Sequence, residues 1–292
     1  MNSIMILSGR NLMIFFRDRA GVFFSLLSAL ILIALYALFL GNLQVDNLQT
    51  RFPDASSSEI SAFVNAWVFA GITMITTLTT GLAALNVFVD DASTGRFRDF
   101  LVSPIRRTNM ILGYLIASFV ISVIMTAVVI LVGQLYILFR GEPLMTWAQL
   151  GQCAAVVLVS SAAFAALSSF VVTFIKSSTA FSALSTIVGT IIGFLAGAYI
   201  PAGTLPSGVV NVLNALPFAQ SAMLIRQPYT SQALEALTNN QDQAIDAVQT
   251  FYGITASVGD LAVTNTLALS VLLGMVVVFI ALGSWRIGRR IR

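Results

Sequence analysis

The chain has 292 residues, 58% of them hydrophobic and only 9% charged, with a net charge of +3 and a mean hydropathy of +0.92. A soluble domain carries about a quarter charged residues and needs them to cover its surface, so a water-soluble globule is excluded. With no histidine, one lysine and one cysteine, the chain cannot assemble a His–metal cluster, a Ser–His–Asp triad, an internal disulfide or a thiolate zinc site.

In chain order, residues 1–19 read as an interfacial helix. Ser3, Arg10 and Arg17 recur on one face, and Ile4, Leu7, Leu12, Phe15 and Phe16 supply apolar surface. An irregular leader is the alternative. A cleavable signal is excluded because the apolar run is too long and no small-x-small site follows. A hydrocarbon core of about 30 Å needs about 20 apolar helical residues. Stretches without charge predict six spans, near 21–41, 62–88, 109–138, 147–174, 178–200 and 262–284, in one all-α transmembrane domain over 1–292.

Span two carries a hydroxyl stripe, Thr73, Thr76, Thr77 and Thr80, followed by Asn86. These residues either face a translocation path or bond their own helix carbonyls and pack. The loop 90–107, DDASTGRFRDFLVSPIRR, follows. Asp91 or Ser93 can cap a short helix there, and Pro104 ends it. Phe97, Phe100 and Leu101 fall at i, i+3 and i+4 beside Arg96, Arg98 and Asp99. Such an apolar knob needs a cover, either a partner's groove or the lipid headgroups. Cys153 in span four reads as a small packing residue. Span five offers Ser182, Ser185, Thr186 and Thr190, with Ser185 and Thr186 as candidate path residues. Gly189, Gly193 and Gly197 form a small-residue stripe that favours close helix packing.

Pro201, Pro206 and Pro217, with Pro228 beyond, interrupt an apolar stretch after span five. They predict two short helices broken at Pro217, in an external re-entrant hairpin that serves as an outer gate or a static lid. The full external region is 201–260. Its polar part, 229–260, reads as partly helical around QALEAL and DQAIDAV. A seventh span within 207–225 would export the basic tail RIGRRIR and is rejected. With the N-terminus in the cytoplasm, only Arg51, Arg140 and Arg226 of the basic residues lie outside, so both termini are expected inside.

The missing motifs narrow the function. No ionisable side chain falls within the six predicted span interiors, which argues against a proton relay. The one lysine, Lys176 in TFIKSS, lacks the glycines of a phosphate-binding loop. A pump built on this chain must draw energy from another one. A channel or secondary carrier, or a non-transporting scaffold or sensor, are the rival readings.

Taken in order, several segments resemble the membrane subunit of ABC-2 type transporters, the six-span permeases of bacterial ABC exporters. They are FFRDRAGVFFSLLSALI entering span one, D-D-x-x-x-G at Asp90, Asp91 and Gly95, L-V-S-P at Leu101 to Pro104, ILGYLIAS at 111–118, and the hairpin IPAGTLPSGVVNVLNALPFAQSAMLIR at 200–226. The polar segment 229–260 is longer than the family pattern. The resemblance implies a plasma-membrane exporter with two separate ATP-binding subunits that carry ATP and Mg, and a second permease, identical or not. It implies no catalytic, metal or cofactor residue in this chain and no nucleic acid. A path without charges suits an amphipathic or lipid-like substrate over a bare ion: a drug, a lipid, a glycolipid or polysaccharide, or a peptide. Loop 90–107 would be the coupling helix, with Asp91, Gly95, Arg96, Phe97, Arg98, Phe100, Leu101 and Pro104 meeting the ATPase.

Overall fold

The computed structural model describes residues 3–96 and 107–290. Helix α1 (Ser3–Arg17) is followed by α2 (Arg19–Ser25), and the Asp18 carboxylate between them accepts from the Gly21 N–H at 2.9 Å. The chain then runs through α3 (Leu27–Leu35), a π-helical turn at Tyr36–Leu40 and α4 (Gly41–Arg51). This helical run extends well beyond the expected limit of 41. Gln44 and Leu48 are buried on α4 while Asp46 stands exposed, so packing on α5 carries the helix past the end of the apolar run.

Helix α5 (Ser57–Ala84) begins with a reciprocal capping box between Ser56 and Glu59, and α6 (Asn86–Ser93) continues it after a break at Leu85. Next come α7 (Arg107–Phe139), α8 (Trp147–Val172) with a second capping box between Thr146 and Gln149, and α9 (Ser178–Leu195), capped by Ser177. After a short 3₁₀ turn lie α10 (Ser207–Ala215), α11 (Pro217–Thr238) and α12 (Asp242–Phe251). A two-residue antiparallel ribbon, 257–258 with 261–262, leads into α13 (Asn265–Arg290).

Among the described residues, six helical segments are long and apolar enough to cross a membrane: 27–51, 57–93, 108–139, 147–172, 178–195 and 265–286. The fold is an all-α membrane protein. The apolar stretch of the second segment is 94% buried within the chain, whereas those of the fifth and sixth are 17% buried. Helix α5 is therefore the axis of the bundle, with α7, α8, α11 and the α3–α4 run packed around it, and α9 and α13 lie at the rim. Its largest enclosed side chains include Phe63, Trp67, Ile72, Met74 and Ile75.

The stretch after span five departs from the two short helices expected. Helix α10 is short, but α11 runs 22 residues and passes through Pro228. Proline removes one backbone donor and crowds the preceding turn. Here Pro228 is enclosed together with Ala222 to Arg226, Tyr229 and Thr230, so packing on α5 and α8 holds the helix together across the defect. Pro217 instead sits at the first helical position, where no donor is missed. The two helices meet there at 87°.

Candidate functional site

The two acidic residues of the D-D-x-x-x-G segment organise one end of the bundle. On α6 adjacent side chains diverge by about 100°, and Asp90 and Asp91 reach in different directions. Asp91 is fully buried. Its carboxylate accepts a two-pronged pair from Arg10 of α1, Nη1 to Oδ2 at 2.7 Å and Nη2 to Oδ1 at 3.0 Å. It also accepts the Tyr114 hydroxyl of α7 at 2.6 Å and Arg96 Nη1 at 3.3 Å. Asp90 accepts the Ser178 hydroxyl at the start of α9 at 2.6 Å and the Asn86 amide at 3.1 Å. One dipeptide thus fastens α1, α7 and α9 to α6.

Helix α1 is held by more than charge. The Ser8 hydroxyl donates to the Gly113 carbonyl at 3.1 Å, and a Cβ built at Gly113 would stand 2.7 Å from Leu7 Cβ. Glycine is required at that crossing because only a bare backbone lets α1 lie so close to α7. Hydrogen bonding to Asp91 is the largest influence on Arg10, and it holds the guanidinium pKa above its ordinary value. Gly95 ends α6 with φ +79°, in the left-handed region that favours glycine, and turns the chain toward residue 97.

Of the coupling residues expected from sequence, Asp91 and Arg96 meet in this node, with Gly95 in the turn between them. Phe97, Arg98, Phe100, Leu101 and Pro104 lie outside the described residues. Sequence reasoning missed Arg10 and Tyr114 as partners of Asp91. The seven-residue spacing of Ser3, Arg10 and Arg17 was the available signal, because it marks one face of α1 as the face with polar business.

The threonine stripe of α5 has the geometry of packing. Thr73, Thr76, Thr77 and Thr80 are all fully buried. They donate to the carbonyls of Phe69, Ile72, Met74 and Thr76 at 2.6–2.8 Å. Thr73 also meets the Tyr229 hydroxyl at 3.0 Å. In α9, Ser185 is half-buried and Thr186 exposed, with its hydroxyl donating to the Ser182 carbonyl at 3.0 Å. A Cβ at Gly189 would lie 2.8 Å from Ser28 Oγ, so this part of the glycine stripe serves close approach to α3 within the chain.

At the opposite end, Arg226 of α11 is 2% exposed. It donates to the carbonyls of Gly253 at 3.0 Å, Ala196 at 2.9 Å and Gly197 at 2.6 Å, with its carbon 5.3 Å from the Trp67 ring centroid. The Trp67 indole N–H donates to the Tyr252 carbonyl at 2.8 Å, and the Tyr36 hydroxyl to the Tyr199 carbonyl at 3.1 Å. Carbonyls at a helix C-terminus lack intrahelical donors and carry partial negative charge. One planar guanidinium here satisfies the end of α9 and the turn after α12 together. Gly197, at φ +60°, lets the chain curl so that its carbonyl faces Arg226.

Arg226 is level with the end of α9, and the neighbouring Gln227 bonds Asn265 at the start of α13 at 2.8 Å. Helix α11 starts nine residues earlier, about 14 Å deeper along its axis. Of the prolines expected at an outer gate, Pro201 is buried, Pro206 exposed and Pro217 half-buried at the bend. Ser221 is enclosed and bonded to Ser160 at 2.7 Å.

The family model for ABC-2 family transporter protein matches residues 40–285 of this chain. A search of curated proteins finds no match.

Proposed function

From membership of the ABC-2 transporter family, to which this chain belongs, we propose that it is the permease half of an ATP-driven exporter of amphipathic or lipid-like molecules. The chain itself is a multi-pass transmembrane component of an ABC transport system. In the proposed assembly two ATP-binding subunits, carrying ATP and Mg, sit beneath two permeases in the bacterial plasma membrane. Both termini face the cytoplasm. The acidic node is then cytoplasmic and the Arg226 cluster external.

The observation that carries this reading is the node at Asp90 and Asp91. It lies directly before the segment 97–106 and ties α6 to α1, α7 and α9 through short bonds. A push from an ATPase on that segment reaches three helices at once, because the carboxylates at its base are shared by all of them. Phe97, Phe100 and Leu101 supply the apolar contact to the ATPase, with Arg96, Arg98 and Asp99 at its rim. The path runs between the two permeases along the exposed face of α3 and the Thr186–Thr190 side of α9, with Ser185 and Thr186 beside it. Thr73, Thr76, Thr77, Thr80 and Asn86 support it from behind. Pro201, Pro206 and Pro217 shape its outer gate.

Proteoliposomes test the proposal. Chain reconstituted with a co-expressed ABC ATPase should move a fluorescent phospholipid or amphipathic dye outward only with ATP and Mg. Equal movement without the ATPase would make the chain a channel or carrier.

A further inference from the structure

Helices α8 and α9 are separated only by residues 173–177, yet they pack away from one another, α8 on α5 and α13, α9 on α5 and α6. The wedge between them is a cavity of about 280 Å³. Its walls include Leu82 of α5, Val171 of α8, and Leu184 and Ile191 of α9. Phe218, at the start of α11, also lines it and stacks on Phe164 at 5.6 Å. Ser168 is the single polar residue of the lining.

Three properties select the occupant. Ile187 and Ile191 line the slot and are also exposed on the outside of the chain, so its mouth opens sideways from two membrane-spanning helices. A mouth that opens sideways between two spans, on an edge that carries isoleucine and no hydroxyl, suits bilayer hydrocarbon. From Leu184 to Leu195 the wall rises about 16 Å, and 280 Å³ spread over that length is a slot about one hydrocarbon chain wide. Finally, apart from Ser168 the wall offers no polar side chain to a headgroup, a sugar or a peptide amide, all of which lose free energy when buried unpaired. Left empty, the walls would forgo dispersion contacts, and water does not enter so apolar a space.

We propose that the slot holds an acyl chain of one bilayer phospholipid, wedged between α8 and α9 and against Phe218. The seated chain supports the bend of the hairpin from below. This site is independent of the direction of transport and of the ATPase.

The test uses the full chain in vesicles of phosphatidylcholine that carries a diazirine at the middle of one acyl chain. After photolysis, adducts are mapped by mass spectrometry. They should concentrate on 167–171 and 184–195 relative to the exposed α13 face at Val277 and Val278. Leu184→Trp and, separately, Val171→Phe should fill the slot and remove those adducts while the α13 adducts persist. The map on the unaltered chain decides the matter even if either variant fails to fold. Adducts equally dense on both faces would mean ordinary surrounding lipid and overturn the proposal. An unlabelled slot, with Ile187→Cys forming a disulfide between two chains, would mean that a second copy covers it and would also overturn it.

Discussion

Arg10 and Asp91 are partners of unequal exposure, and the inequality sets what each mutation costs. The Asp91 side chain is fully enclosed, whereas that of Arg10 is 30% exposed. Removing Arg10 leaves the buried carboxylate to Tyr114 and the more distant Arg96, at a cost below the about 3–5 kcal/mol of a fully uncompensated buried charge. Removing the carboxylate leaves a long cation that can reach water. Arg10→Met should therefore lower the thermal midpoint of the detergent-purified chain more than Asp91→Asn; the reverse order would contradict the node as described. At the other end, Arg226→Lys keeps the charge but loses the planar fork that serves three carbonyls. It should increase proteolysis at 199–206, and a wild-type cleavage pattern would show that the clamp is dispensable. Glu142 supplies a pH signature. Burial raises its pKa above the ordinary carboxylate value, although Asn65 bonds it at 2.7 Å. A raised folded-state pKa contributes stability that is full below the ordinary carboxylate range and lost as pH rises through the raised value. Glu142→Gln should flatten that part of the stability–pH curve, as melting scans from acid to neutral pH would reveal.

At the scale of elements, α5 is the helix whose side chains have the least freedom. Its threonines bond their own carbonyls, so Thr76→Val should leave stability within about 0.6 kcal/mol and transport near wild type. Ser122 differs: its hydroxyl donates to Thr77 O at 2.6 Å and meets Ser161 at 2.9 Å, joining three helices. Ser122→Ala should lower the melting temperature measurably more than Thr76→Val, and equal shifts would contradict the assignment. The number of spans was readable because charge is costly in hydrocarbon and its absence leaves long gaps. The bend at Pro217 was readable because proline fixes its own backbone angle. The continuity of α11 through Pro228 was not, since it depends on neighbours brought in from α5 and α8. Nor was the Arg10–Asp91 pair, 81 residues apart, which only the crossing of α1 and α7 at Gly113 brings together. Arg226 counted as an outward charge by its place in the chain. Its burial depends on carbonyls supplied by α9 and by the turn after α12.

For the whole molecule, two polar clusters stand at opposite ends of an apolar bundle, and α5 with α6 joins them. Trp67 belongs to the cluster around Arg226, and Asp91 to the cluster around Arg10. A movement that enters at 97–106 can thus reach the hairpin through one nearly continuous helix. In the proposed mechanism an ATPase grips that entry segment through its aromatic residues. The direct measurement is co-purification and ATP-dependent transport of the Phe97→Ala, Phe100→Ala double variant beside the unaltered chain. Membrane insertion should be normal, while the ATPase is lost from the purified complex and transport is lost with it. A double variant that holds the ATPase and transports like its parent would contradict that mechanism.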